Sequence, residues 1–364
     1  MKNAWIELDL SAFHDNLRSI SQALSSRATL ILVVKARAYG HGLAAIARCA
    51  REQGVQWFVV SNIEEAHALR EAVSDAVILL LGAVLPNDTA TIIGSRIVPV
   101  LVSHGQAQGI AAVARSHGRN LPCHVKIDTG MGRFGFDWAA AADQILALHR
   151  EGGLQIEGLC THFASAGRKD DDYAARQVQR FQQVVDACAA NGLRVSYRHI
   201  ANSAAFLAHP EWDLTAVRCG IIAYGYGARY EGARAPTKPF MQWKTRVIQV
   251  RHVPAGFPVS YLSTHVTQAP TVLATINVGY ADGFARQLSN RGMVLLNGRR
   301  VPVVGRVTMN FTVLDAGSDS QVREGDEVVL MGEQGGESLW ADELARWCKT
   351  IPYEILTSIR STPV

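Results

Sequence analysis

Between Ile31 and about Gly220 the chain repeats one pattern eight times: a short apolar, mostly β-branched run, then a longer stretch with apolar residues at helical spacing. The runs are ILVVK (31–35), WFVVS (57–61), AVILLL (76–81), IVPVLVS (97–103), CHVKID (123–128), EGLCTHF (157–163), YRHIA (197–201) and AVRCGI (216–221). Amphipathic stretches such as 63–73, 106–116, 139–150 and 174–190 lie between them. A continuous apolar run is what a parallel strand covered on both faces requires. Eight such units predict a (β/α)8 barrel, with an open doubly wound sheet as the alternative. A lead-in strand at Trp5–Leu8 and a helix at 11–24 precede it.

After Ala235-Pro236 the pattern changes to strand-like runs at 244–253, 271–280, 293–304, 307–315 and 327–332, with a short helix near 341–349. Asn297-Gly298, between two of these runs, signals a type I′ hairpin. The expected organisation is a barrel over residues 1–235 and an all-β domain over 236–364.

Composition narrows the function. Apolar residues are 48%, charged residues 19% and the formal charge is +4, an ordinary globular balance with no basic–aromatic interleaving for nucleic acid. No run is long enough to span a bilayer, and the N-terminus lacks the apolar core of a signal peptide. Six cysteines without a C-x-x-C pair read as reduced core residues, so the expectation is a cytoplasmic enzyme without a metal.

The active face of such a barrel lies at the C-terminal ends of its strands. Lys35 ends the first strand, and a helix after it would carry Tyr39 four residues on. The fifth run brings Lys126 and Asp128 and then the turn before Arg133; the sixth ends at His162, the seventh at Asn202-Ser203, the eighth at Arg218 before Gly220-Ile221. Singly these have structural readings: a snorkelling lysine, a surface arginine, a satisfied core histidine, a rim ion pair. Together they make chemical sense. A lysine delivered from a packed core loses its charge readily and can form a Schiff base. A serine with glycine-flanked amides can hold a phosphate, and an arginine can tune a pyridine nitrogen. The set suggests pyridoxal 5′-phosphate.

The stretches KARAYGHG (35–42), HVKIDTGMGRFGF (124–136), THFA (161–164), HIANSAAFL (199–207), VRCGI (217–221), VSY (259–261), VGYADGFARQLSN (278–290), PVVGRVTMN (302–310) and PYEILTSI (352–359) are similar to those of bacterial alanine racemases. The resemblance spans nearly the whole chain. It implies a pyridoxal-phosphate isomerase with Lys35 and Tyr261 as catalytic bases on opposite faces of the substrate. It assigns Tyr39, Asn202, Ser203, Gly220 and Ile221 to the phosphate, His162 to the cofactor ring and Arg218 to its nitrogen. Arg133 and Met309 would bind the substrate carboxylate, Tyr280 would line the entrance, and Lys126 would carry a carbamate. The family's head-to-tail homodimer, in which each subunit completes the other's site, is implied as well. Alanine is the expected substrate, with D-alanine going to cell-wall peptide or alanine being catabolised. A racemase of wider side-chain range and a non-catalytic cofactor carrier are the alternatives.

Departures from the common pattern are Arg37 where asparagine is usual, Leu262 where glycine is usual, His265 near it where an aromatic is frequent, Cys219 where proline is usual before Gly220, and Thr308 and Asn310 where Cys and Asp are common around Met309. The C-terminus also lacks a tyrosine that touches the phosphate in some members.

Overall fold

The computed structural model describes residues 4–82, 84–167, 172–227 and 233–363. The chain divides into two compact units. One comprises His14–Ala38 and Leu43–Lys238; the other takes the chain up to Phe13, Tyr39–Gly42, and the chain from Pro239 onward. The backbone therefore passes between units more than once, and a single cut near residue 235 does not divide it.

The first unit is a ring of parallel strands. Its order is Ala216–Cys219, Thr29–Val33, Trp57–Val60, Val77–Leu80, Ile97–Leu101, Leu121–Asp128, Leu154–Cys160 and Tyr197–His199. The ring closes between the last strand and the first in this order: Thr215 N–H donates to Arg198 C=O at 3.2 Å and Arg218 N–H to Ala201 C=O at 3.1 Å. This is the closed barrel, not the open sheet. Ile31, Trp57, Val59, Leu79, Val98 and Val100 pack with Cys160 and Ala216 as one buried cluster. Each large aliphatic side chain so buried contributes about 1.5–3 kcal/mol. The expected strands all form, but with shifted ends: the first barrel run forms a strand at Thr29–Val33 and the sixth at Leu154–Cys160, so Lys35 and His162 each lie two residues past the strand expected to end in them.

The second unit is antiparallel. Met241–Val253 pairs with Thr271–Ile276 and also with Glu327–Gln334, and the sheet continues through Thr312–Asp315, Arg299–Val304 and Met293–Leu296. The lead-in strand, Ala4–Leu8, joins this sheet through Met241–Thr245. Asn297 and Gly298 both take positive φ, 51° and 74°, between paired Leu296 and Arg299, as a type I′ turn requires. A two-stranded hairpin, Pro258–Val259 with His265–Val266, carries Tyr261 at its tip. Helices Ala341–Cys348 and Pro352–Ser358 end the chain.

Among the described residues no helix is long and apolar enough to cross a membrane, and no group of three or more His, Cys, Asp or Glu could hold a metal. All six cysteines are free and buried.

Candidate active site

Lys35 stands where the strand Thr29–Val33 leaves the barrel, and the right-handed helix expected directly after it is absent. Ala36, Arg37, Ala38 and Tyr39 take left-handed conformations, with φ from 52° to 55°, and a regular helix begins only at Leu43. Each such residue costs roughly 1–2 kcal/mol. Strain of this kind persists only where the surroundings impose it. Here Ala38 N–H is held by Val34 C=O at 2.8 Å, and Arg37 N–H lies 3.4 Å from a Glu65 carboxylate oxygen. The other oxygen of Glu65 accepts from Ser61 N–H and hydroxyl. The turn fixes the backbone at Lys35. Desolvation lowers the Lys35 pKa, the Arg133 charge lowers it further, and Glu65 opposes them.

Alternation along Leu121–Asp128 aims His124, Lys126 and Asp128 the same way. Lys126 is 1% exposed. Its amine donates to Phe134 C=O and sits 4.5 Å from the Phe134 ring centre, while Arg133 lies 5.1 Å from the same ring. Burial lowers the Lys126 pKa against the opposing influence of Cys160 and Asp128, which favours the neutral amine. Asp128 accepts from the amides of Gly130, Met131 and Gly132 at 2.9, 2.9 and 3.2 Å, and so shapes the loop that presents Arg133. Burial would raise the Asp128 carboxyl, but these amides and Lys126 prevail and its pKa falls.

Arg218 is buried, and its terminal nitrogens are fully engaged. One donates to His199 Nδ1 and C=O, both at 2.7 Å; the other donates to the carbonyls of Thr161 (2.8 Å) and Ile200 (3.1 Å) and meets His162 Nδ1 at 3.3 Å. Behind it, His199 Nε2 meets His124 Nδ1 at 2.8 Å. The His124 ring fits because residue 158 is glycine: a Cβ there would lie 2.6 Å from the imidazole. Desolvation, then Arg218, Arg133, Lys126 and Lys35, push the His162 pKa to about 3. Its imidazole is therefore neutral near pH 7. Arg218, at 3.3 Å from Nδ1, is the charge in direct contact with that ring.

Ser203 Oγ accepts from Gly220 N–H at 3.0 Å and Ile222 N–H at 3.4 Å, bringing the two ends of the expected phosphate cradle together. Asn202 caps the adjoining turn by accepting from Ala205 N–H at 3.0 Å. Ile221 lies in the same buried turn.

The remaining expected residues belong to the second unit. Tyr39 packs on Tyr353 with ring centres 5.9 Å apart, and Gly40 has no room for a Cβ, which would meet Leu356 C=O. Tyr280 N–H donates to Thr308 C=O and Ala281 N–H to Met309 C=O, both at 3.0 Å, so Tyr280 and Met309 share one crossing of loops. Ser260 hydroxyl ties the Tyr261 turn to Arg306 C=O at 2.7 Å. Tyr261, Met309 and Tyr280 are 73%, 56% and 44% exposed, an apolar set left open on the chain alone.

In the sequence His124 and His199 stand only as parts of longer motifs, and Asp128 and Gln177 carry no assigned role. Strand alternation with Lys126 is the available signal for His124 and Asp128; nothing local marks His199 or Gln177.

The residues fit an anionic, planar, carbonyl-bearing group. There are buried and loop-borne cations, a lysine whose pKa burial lowers, an uncharged imidazole, and hydroxyl and amide groups grouped at Ser203. Family models described as "Alanine racemase, N-terminal domain" and "Alanine racemase, C-terminal domain" match residues 8–228 and 240–363. A protein of Desulfosudis oleivorans named alanine racemase is 41% identical, over 98% of this chain and 94% of its own. The solved alanine racemase of D-cycloserine-producing Streptomyces lavendulae superposes with a TM-score of 0.93 at 33% identity, covering 100% of this chain and 97% of that one. The alanine racemase of Bartonella henselae, solved with covalently bound pyridoxal phosphate, gives 0.90 at 28% identity, covering 100% and 99%.

Proposed function

The chain belongs to the alanine racemase family, and from that premise we propose that it interconverts L- and D-alanine using pyridoxal 5′-phosphate held at the mouth of its barrel. The observation that carries the cofactor reading is geometric: Arg218 meets His162 Nδ1 at 3.3 Å, and Lys126 and Arg133 both lie against the Phe134 ring, 4.5 and 5.1 Å from its centre. That arrangement suits two anions, a phosphate ester and an amino-acid carboxylate, around an uncharged ring.

When bound, the cofactor supplies an imine-forming aldehyde and an electron-withdrawing ring that disperses the charge left at Cα. Lys35 would hold it covalently, Tyr39, Asn202, Ser203, Gly220 and Ile221 would hold its phosphate, and His162 would pack on its ring. Arg218 would face the ring nitrogen, its terminal nitrogens being held by His199, Thr161, Ile200 and His162. A guanidinium keeps its protons, so that nitrogen would stay unprotonated. Arg133 and the Met309 amide would bind the carboxylate, with Tyr280 at the entrance.

Inversion needs a proton removed from one side of Cα and another delivered to the other side. Lys35 Nζ serves one side, and its lowered pKa makes the neutral amine available. Tyr261 Oη serves the other, supplied by the second subunit of a head-to-tail homodimer. The exposure of Tyr261, Met309 and Tyr280 supports that assembly. In its neutral form, which burial favours, the Lys126 amine can add CO2, releasing a proton and becoming an anionic carbamate beside Arg133. Such an anion would orient the guanidinium and remove a like-charge clash. We place the protein in the cytoplasm.

The test is to incubate the purified protein with pyridoxal phosphate and L-alanine in deuterated buffer. D-alanine carrying deuterium at Cα supports the reading. Faster inversion of serine or lysine would assign a broader racemase. Cofactor binding without inversion of any amino acid would leave a carrier and overturn the proposal.

A further inference from the structure

We propose that Gln177 is a positioning residue that locks the segment presenting Arg133 to the segment presenting His162, so that one buried amide sets the substrate and cofactor sides of the site together. The inference rests on the roles given above to Arg133 and His162.

Gln177 lies on the helix Asp172–Ala190, is 0% exposed, and uses its whole amide. Its Oε1 accepts from Ala164 N–H at 3.0 Å, and its Nε2 donates to His162 C=O at 3.1 Å and Thr129 Oγ1 at 3.2 Å. The orientation of the amide is dictated by these partners, because an N–H must meet the oxygen and a carbonyl must meet the nitrogen. One bond thus reaches the loop after Leu121–Asp128, and two reach the loop after Leu154–Cys160.

The same helix face reinforces the first loop alone. Tyr173 hydroxyl donates to Gly130 C=O at 2.7 Å and Arg180 donates to Thr129 C=O at 2.8 Å, at positions four before and three after Gln177. The network then runs inward. Thr129 Oγ1 lies 2.8 Å from Thr161 Oγ1, and Thr161 C=O accepts from Arg218. Tyr173 and Arg180 each brace one loop; Gln177 spans both.

Two variants separate this lock from simple core filling. Gln177→Glu keeps the volume and the acceptor for Ala164 but loses both donors when ionised; Gln177→Leu loses all three bonds. Tyr173→Phe is the control that touches only Gly130. The first readout is amide hydrogen exchange of the cofactor-free protein. Gln177→Glu and Gln177→Leu should each speed exchange roughly fivefold to tenfold in both 129–134 and 162–166, with Tyr173→Phe affecting 129–134 only. Faster exchange in one segment only, or evenly over the barrel, overturns the lock.

The second readout uses the loaded enzyme. Gln177→Glu should raise the alanine KM and the pyridoxal-phosphate Kd together by roughly fivefold, whereas Tyr173→Phe should raise KM alone. If exchange rises in both segments while KM and Kd stay put, the roles of Arg133 and His162 are wrong and the proposal falls with them.

Discussion

Nδ1 of His199 accepts a 2.7 Å hydrogen bond from the guanidinium of Arg218, and the protons of two rings follow from that contact. A guanidinium can only donate, so Nδ1 is bare and the His199 proton sits on Nε2. That proton is donated to His124 Nδ1 at 2.8 Å, which leaves the His124 proton on Nε2, buried and without a partner among the described residues. Charging His199 would set N–H against N–H. Desolvation and Arg218 accordingly hold its pKa well below the usual range, and they push His124 to about 3. The donors all run one way, which fixes the tilt of Arg218 inside the barrel.

His199→Leu should therefore leave a buried guanidinium N–H unpaired and cost about 1–3 kcal/mol of stability. His199→Asn places an oxygen near the position of Nδ1 and should cost clearly less, although it loses the contact with His124. Urea midpoints of the cofactor-free variants measure the difference. Equal losses would mean that packing, and not the acceptor, is what His199 provides.

Acid stability carries the same signature. His162 and His124 titrate near 3 in the fold, against about 6.5 in an unfolded chain. Between those values the unfolded state binds protons that the folded state does not, so stability is complete above about 6.5 and falls as pH drops toward 3. His162→Phe should flatten the decline in urea midpoint between about pH 7 and 5. An unchanged slope would show that His162 takes up its proton without unfolding.

How far the sequence spoke depended on the kind of signal. The barrel was legible because each strand, covered on both faces, must be apolar throughout, as Trp57–Val60 and Ile97–Leu101 are. Asn297-Gly298 was legible because few residues accept two positive φ values in a row. Lys35 was legible by its place at a strand end. The left-handed turn was not: Ala36-Arg37-Ala38 has ordinary helix-forming composition, and contacts from Glu65 and Val34, not local preference, impose its shape. Gln177 was invisible for a related reason. Its partners lie 48, 15 and 13 residues away, and no periodicity records them.

The departure at Leu262 has a measurable cost. Leu262 adopts φ 62° and is 84% exposed, so it gains little packing within the chain for a conformation that glycine takes freely. Leu262→Gly should raise the thermal stability of the isolated subunit by about 1 kcal/mol, the left-handed penalty less the added freedom of the unfolded chain. A lower Tm would mean that Leu262 is buried in the assembled protein.

The division of labour between Lys35 and Tyr261 can be tested by mixing two inactive proteins. Lys35→Ala removes the proposed base and covalent anchor, so inversion and Cα exchange should both vanish. Tyr261→Phe keeps Lys35, so deuterium exchange should persist in one enantiomer while inversion falls by roughly 10²–10⁴. If each site takes Lys35 from one subunit and Tyr261 from the other, a heterodimer of the two variants holds one doubly damaged site and one intact site. Random reassociation makes half of the dimers mixed, so mixing should restore about a quarter of the wild-type activity. If both bases came from the same subunit, every site in the mixture would carry one substitution. Activity after dissociation and reassociation would then stay at the level of the unmixed variants, and the shared site would be excluded.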